Sequence, residues 1–438
     1  MHSYTSLTMK RALYIFSFIA FIATTFISCG EDRTYEYLEM TKENQWTYSK
    51  MKEVYLWADS IKTPSRSEFF AATSKFFTTI KFRGDNASYF TDTVSLGTYG
   101  MKFALMRDPM GMRPSKVYAL VLYVEKGSPA EAAGLERGKW ITAVNGRSLS
   151  MSSASLLQQG GEMSVATEYL EYDDERERYF WIEGDTLKLP QSADVDACNV
   201  CIDTVYTVRD QKIGYMLANS FSGDDFTAKA ENALARFVAE DVSSVIIDLR
   251  YNSGGSLSNA LAVANRFVPS TADATPFCTL KGNGGEVDTV YNYKAVQDNL
   301  SDKKLYFIIG ANTKGTAEVL VNSLNVSRGA NEVYIIGEKS AGANVMVEKI
   351  ESPYGFAINP ATAYVYSSDG NELPATGIQP DYAVNELGQV AHIYNLGSEQ
   401  EYVLYNTLYL ITNGALPSHV AGSIRPALFT GNERSFSR

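Results

Sequence analysis

Histidine is nearly absent from this 438-residue chain, which holds only His2, His392 and His419. Three residues so far apart supply neither a histidine-built metal centre nor a visible serine–histidine–aspartate arrangement. Cysteine is almost as scarce, with four residues. Cys198 and Cys201 form a lone CxxC, and no second pair completes the roughly four ligands of a zinc site. A local disulfide or two buried thiols is therefore expected, with no metal and no cofactor. The formal net charge is −11 and no run of Lys or Arg is present. That excludes nucleic acid as a partner, because phosphate binding relies on clustered cations. The apolar run Ala12–Ile27 falls short of the roughly 20 residues a membrane-spanning helix needs.

What is there describes an ordinary globular chain, 45% apolar and 20% charged, with room for two or three domains. Lys10 and Arg11 precede the run Ala12–Ile27, which ends at Ser28–Cys29–Gly30. A basic region, an apolar core and a small residue before the break predict an export signal over residues 1–28. The cysteine after Ser28 resembles a bacterial lipoprotein cleavage site, which implies that Cys29 is the lipidated first residue of the mature chain. An ordinary signal peptide with an incidental cysteine is the alternative. Gly30–Glu31–Asp32 resembles the acidic stretch of some surface-exposed Bacteroidetes-type lipoproteins. The expectation is an exported protein, lipid-anchored to a membrane of the cell envelope, on the periplasmic face or the cell surface of the outer membrane.

The fold class expected is multidomain α+β. Residues 35–91 read as a helical domain: Trp46, Tyr48, Met51, Val54, Tyr55 and Trp57 recur at helical spacing, and Thr63–Pro64–Ser65 breaks the pattern. Phe69, Phe70, Phe76 and Phe77 mark a second helical stretch. Residues 95–180 read as mostly β. Val117–Val124 is a strand, Ser128 caps a short helix with Pro129 in its first turn, and Trp140–Val144 is a strand turned by Asn145–Gly146.

The stretch "GSPAEAAGLERGKWITAVNG" (127–146) resembles the central signature of a PDZ domain. That resemblance implies a glycine-containing loop whose N–H groups hold a peptide's terminal carboxylate while the peptide adds as a strand to a sheet edge. The matching loop is Tyr99–Phe103, with Gly100, Met101 and Phe103 as peptide-binding residues. Polypeptide C-termini or unfolded peptide segments are the implied partners.

Residues 205–390 alternate strands with helices, as in an α/β core with a largely parallel sheet. Ile213–Ala218, Val245–Leu249, Leu305–Ile309 and Val333–Ile336 are the strands, and Asp224 or Asp225 caps the first helix. Residues 391–438 hold one more helix, with Ser398 and Glu401 as a capping box, and a tail. "VIIDLRYNSGG" (245–255) and "GIQPD" (377–381) resemble motifs of the C-terminal processing peptidases, the tail-specific serine proteases.

That family uses a serine in a SxSE-like turn and a lysine in a GxTxGK-like loop. Glu318 matches the glutamate of the turn, which puts Gly315 at the nucleophile and Ala317 at the second serine. Gly337, Ser340 and Gly342 match the loop, which puts Ala343 at the lysine. Gly254 and Gly255 match the oxyanion turn. The connection from Glu318 to Gly337 is longer than is usual in the family, and the extra residues are expected as a loop around Asn325–Asn331. The resemblance thus implies a peptidase scaffold without its dyad: a peptide-binding protein of serine-type peptidase ancestry. The alternative is an active endopeptidase with a displaced pair drawn from Thr316, Ser340 and Lys339, where Thr316 otherwise reads as a helix cap.

Overall fold

The computed structural model describes residues 34–92, 97–173, 175–329, 331–390, 393–418 and 429–430. Cys29, His392 and His419 lie outside them, as does the predicted signal.

The N-terminal segment opens with α1 (Thr34–Val54), which stops before Tyr55 and Trp57. The second helical stretch is broken: Glu68–Phe70 is a 3-10 turn, and only α2 (Thr73–Ile80) is α-helical. Met51, Tyr55, Phe69, Phe76 and Phe77 bury themselves together with Phe356, Ile358 and Ala361 from far along the chain. Tyr89–Thr91 pairs with Ala357–Asn359 as a strand. This segment therefore shares its core with residues 356–361 of the peptidase-like region.

The PDZ region is an antiparallel sheet of β1 (Met101–Arg107), β2 (Val117–Val124), β3 (Trp140–Val144), β4 (Met163–Asp173) and β5 (Arg178–Leu189) in that order. It runs past the expected boundary at residue 180. As expected, the Ser128 side chain caps α3 (Pro129–Ala132) by accepting the Glu131 N–H. Alternation along β1 sends Phe103 and Leu105 into the domain's own core. Ala104 and Met106 instead face Tyr251, Leu387 and Val390 of the neighbouring region, as the two-residue period of a strand requires.

The central sheet comprises β6 (Val200–Val208), β7 (Gln211–Ala218), β8 (Ser244–Asp248), β9 (Lys304–Ile309), β10 (Val333–Gly337) and β11 (Tyr382–Ala383), laid side by side in chain order. Every pairing from β7 to β11 is parallel, and β6 alone is antiparallel. β8 is buried along its whole length, so it reads as a continuous apolar run. Val245, Ile247, Phe307 and Ile335 pack under α4 (Phe226–Ala239), α5 (Leu257–Asn265) and α6 (Thr316–Arg328). Ile246, Ile308 and Ile336 face the opposite way, under α7 (Tyr402–Asn413).

Three local expectations fail. Asp225 stands at the N-cap of α4, but its carboxylate binds Asn199 and Lys229 and leaves the helix uncapped. Glu401 is itself the N-cap of α7, accepting the Leu404 N–H, so Ser398 and Glu401 are no capping box. Residues 325–328 continue α6, and the chain breaks only at Gly329. A final strand, β12 (Phe429–Thr430), pairs antiparallel with Leu105 and Ala104 on the outer edge of β1.

Candidate active-site turn and its buried junction

The candidate turn lies where β8 and β9 end. Beyond β9, the Thr313 hydroxyl donates to the Leu249 carbonyl and accepts the Gly310 N–H, while its own carbonyl accepts the Ala341 N–H. One buried threonine thus ties both strand ends to the loop after β10. Gly315 follows as the N-cap of α6, at φ +59° and ψ −121°. That is a sharp strand-to-helix turn in a region that costs L side chains about 1–3 kcal/mol. Space is not the obstacle, since a Cβ at Gly315 would meet only the Ser253 carbonyl oxygen, at 3.9 Å.

Glu318, three residues into α6, binds the two halves together. Its Oε2 accepts the Gly315 N–H at 3.0 Å, and its Oε1 accepts the Gly342 N–H at 2.8 Å. The Ser340 hydroxyl donates to the same Oε1 and accepts the Ile378 N–H. Burial pushes the Glu318 carboxyl up, against these donors. Thr316 is the first helical residue and not a cap; its hydroxyl donates to the Gly255 carbonyl at 2.7 Å. Both candidate substitute hydroxyls are therefore committed, and Lys339 is exposed. Of the oxyanion pair, Gly254 gives its N–H to Asn252 Oδ1 at 2.8 Å, and Gly255 lends its carbonyl to Thr316.

Beside this turn lies a cluster of charges that sequence reasoning missed. Arg250 donates to both Asp248 oxygens and, through Nη1 and Nη2, to both Glu401 oxygens at 2.8 and 3.0 Å. Arg137, from the PDZ region, reaches Glu386 at 2.6 Å and Glu401 at 3.1 Å. The Tyr215 and Tyr251 hydroxyls donate to Asp248 and Glu386. Burial alone would raise the Glu401 carboxyl, but the Arg250 and Arg137 guanidiniums outweigh it and hold it down to about 2. A cavity of about 90 Å³ opens beside Arg250, Asn312, Glu338 and Glu386. Burial, with Glu386 adding to it, pushes the Glu338 carboxyl up to about 7. Nothing local in the sequence signals this cluster, because Arg137 and Glu401 are hundreds of residues apart.

At the expected peptide loop, Gly100 has φ +70°, and a Cβ there would overlap the Ser128 side chain at 2.3 Å. Its N–H donates to Thr98 Oγ1 and its carbonyl accepts the Glu125 N–H. Met101 is half-buried, whereas Phe103 is only 3% exposed and belongs to the domain core, so it does not line an open groove. Among the described residues no group of three or more His, Cys, Asp or Glu is arranged to hold a metal ion.

Comparison with known proteins agrees with this geometry. Residues 212–384 match the model of peptidase family S41, and residues 120–166 match a PDZ domain model. The chain is 25% identical over 312 residues to a carboxyl-terminal-processing protease of Synechocystis, covering 70% of this chain and 68% of that protein. It is 25% identical over 288 residues to the carboxy-terminal processing protease CtpA of Bacillus subtilis, spanning 65% of this chain and 56% of CtpA. The crystal structure of a putative S41 protease from Bacteroides fragilis shares the fold, with a TM-score of 0.71 at 24% identity over 84% of this chain and 97% of that one. Residues 212–384 are thus a peptidase family S41 region and residues 120–166 a PDZ domain, and the chain as a whole is similar to the C-terminal processing proteases.

Proposed function

We propose that this chain binds extended polypeptide segments, C-termini among them, through its PDZ domain and does not hydrolyse them at the family's site. The observation that carries this reading is the Glu318 latch. One carboxylate accepts from Gly315 on one side and Gly342 on the other. The positions that resemble nucleophile and base, Gly315 and Ala343, thus flank a single buried group, and neither has a side chain able to attack or to take a proton. A serine turn without serine and lysine lacks both the nucleophile and its activation. The committed hydroxyls of Thr316 and Ser340 speak against a displaced dyad. Serine-reactive phosphonate followed by intact mass measurement tests this: the chain should stay unlabelled, and a stoichiometric adduct would establish the endopeptidase reading instead.

The peptide would add along β1, whose outer edge, among the described residues, is paired only by β12 at Ala104 and Leu105. An incoming strand therefore displaces β12, and shortening the chain to end at Ser418 should tighten binding. Peptides ending in an apolar residue with a free carboxylate should bind better than their amides, because charge-assisted bonds from backbone N–H groups are lost with the charge. Equal affinity for acid and amide would remove the carboxylate loop from the reading. Export and lipidation at Cys29 belong to the same proposal. Cys29→Ala should release soluble chain or leave uncleaved precursor, and fractionation identical to the parent would refute the anchor.

A further inference from the structure

Three thiols among the described residues lie outside the latch and the junction. Cys198 and Cys201 flank the start of β6 and are half-buried, whereas Cys278 is sealed in the apolar core. The β6–β7 ladder pairs Val200 with Ala218 and Ile202 with Leu217, so Cys201 is the extra residue of a bulge. A bulge frees its residue from the ladder and re-aims the side chain. Here the Cys201 thiol donates to the Cys198 carbonyl at 3.4 Å, which folds it back onto the residue three positions earlier. The PDZ region closes over the pair. The Tyr123 hydroxyl stands 3.9 Å from Cys201 Sγ and donates to Glu125 Oε2 at 2.9 Å. The same oxygen accepts the Cys198 N–H at 3.0 Å, and Glu125 is only 6% exposed. The Cys201 thiol, the Tyr123 phenol and the Glu125 carboxylate form one line across the domain boundary, and the Cys198 backbone meets both of its ends.

We propose that Cys198 and Cys201 are a reversible dithiol–disulfide couple, with Tyr123 and Glu125 as the path for the proton released on closure. The hydrogen bond from Cys201 lowers the Cys198 thiol. That same bond, together with burial, pushes Cys201 up. Cys198 is thus the attacking thiolate and Cys201 the resolving thiol. The oxidant is a small-molecule or protein disulfide, RSSR. Cys198 gives up its proton and its sulfur attacks RSSR, forming a Cys198–SR bond; the RS⁻ released takes up a proton to leave as RSH. Cys201 passes its proton through the Tyr123 hydroxyl to the Glu125 carboxylate and attacks Cys198 Sγ. The S–SR bond breaks, and the second RS⁻ takes the proton from Glu125. Two thiols lose two electrons, and RSSR gains them as two RSH. Because the Cys198 carbonyl also accepts the Asn219 N–H, and Phe221 donates to the Gly254 carbonyl, the couple lies two hydrogen bonds from the oxyanion turn. The proposal stands independently of the peptide-binding reading.

The test equilibrates the purified full chain with excess reduced or excess oxidised glutathione, traps free thiols with N-ethylmaleimide without unfolding, and maps the peptides. In reduced glutathione Cys198 and Cys201 should both carry maleimide while Cys278 stays unlabelled. In oxidised glutathione neither should, and one peptide linking Cys198 to Cys201 should appear, lighter by two hydrogens. Persistent labelling of both thiols, or a stable glutathione adduct on Cys198, would overturn the couple. Tyr123→Phe should slow closure from the mixed disulfide several-fold and leave adduct formation unchanged. Closure as fast as in the parent would overturn the proton path.

Discussion

The junction around Arg250 and the turn around Gly315 border the same strand ends, β8 and β9, and differ in every other respect. At the junction two guanidiniums, three carboxylates and two tyrosine hydroxyls are buried with their bonds made. At the turn the backbone keeps a strained conformation, and the side chains that would use it are a hydrogen and, at Ala343, a methyl. Asp248 and Arg250 of the stretch "VIIDLRYNSGG" hold domains together, and Asn252 shapes the Gly254 turn. The comparison separates residues that serve architecture from residues that serve only chemistry. A buried charge is costly to leave unpaired, so the junction cannot be thinned one residue at a time. At the turn, a glycine at a positive φ is free of the strain another residue would bear.

The largest effect expected is on rate. The unmodified chain should leave casein intact, because loss of a nucleophile or its base lowers turnover on the order of a million-fold. Gly315→Ser combined with Ala343→Lys should yield measurable hydrolysis, and neither single change should. Turnover by the parent that disappears in Thr316→Ala or Ser340→Ala would break the comparison outright.

Next is the junction. Arg250→Met should lower stability by about 3–5 kcal/mol, because buried Asp248 loses its guanidinium and Glu401 keeps only Arg137. Arg137→Met should do the same on the PDZ side. Urea unfolding measures both, and an unchanged midpoint would show that the cluster is not what holds the domains. The sign with pH follows from Glu401, whose folded value of about 2 lies below its unfolded one near 4.5. Its contribution is complete above pH 4.5 and is lost as pH falls toward 2.

The single change Gly315→Ser should cost about 1–3 kcal/mol for its backbone conformation alone. Gly315→Ala should cost the same if strain is the cause, and a difference between them in thermal unfolding would point to the hydroxyl. Glu338 gives an effect confined to one side of the pH scale, with the opposite sign. Its folded value of about 7 lies above the unfolded one, so its contribution is complete below about pH 4.5 and lost as pH rises through 7. Glu338→Gln should therefore stabilise the fold at pH 8 and leave it unchanged at pH 4. Equal shifts at both pH values would contradict its placement beside Glu386.

By itself the sequence determined the strands β7 to β10, the short helix capped by Ser128 and the order of the domains. Each of these rests on near neighbours: runs of apolar residues, a cap three residues from its N–H, a glycine where the chain must turn. It also carries the resemblance that puts Gly315 and Ala343 at the nucleophile and base positions of the proposed reading, where residue identity alone tells that neither side chain can serve. Contacts between distant residues were decided by the tertiary structure alone. Tyr55 and Phe76 found their core with Ile358, Phe103 turned inward while Ala104 faced a neighbouring domain, and Glu401 met Arg137 and Arg250 in place of forming a local capping box. The same holds for Cys201, which a bulge in β6 aims at Cys198 and at a tyrosine of another domain. A hydrogen bond or an ion pair depends on distance in space, and the chain sets that distance only once its sheets have closed.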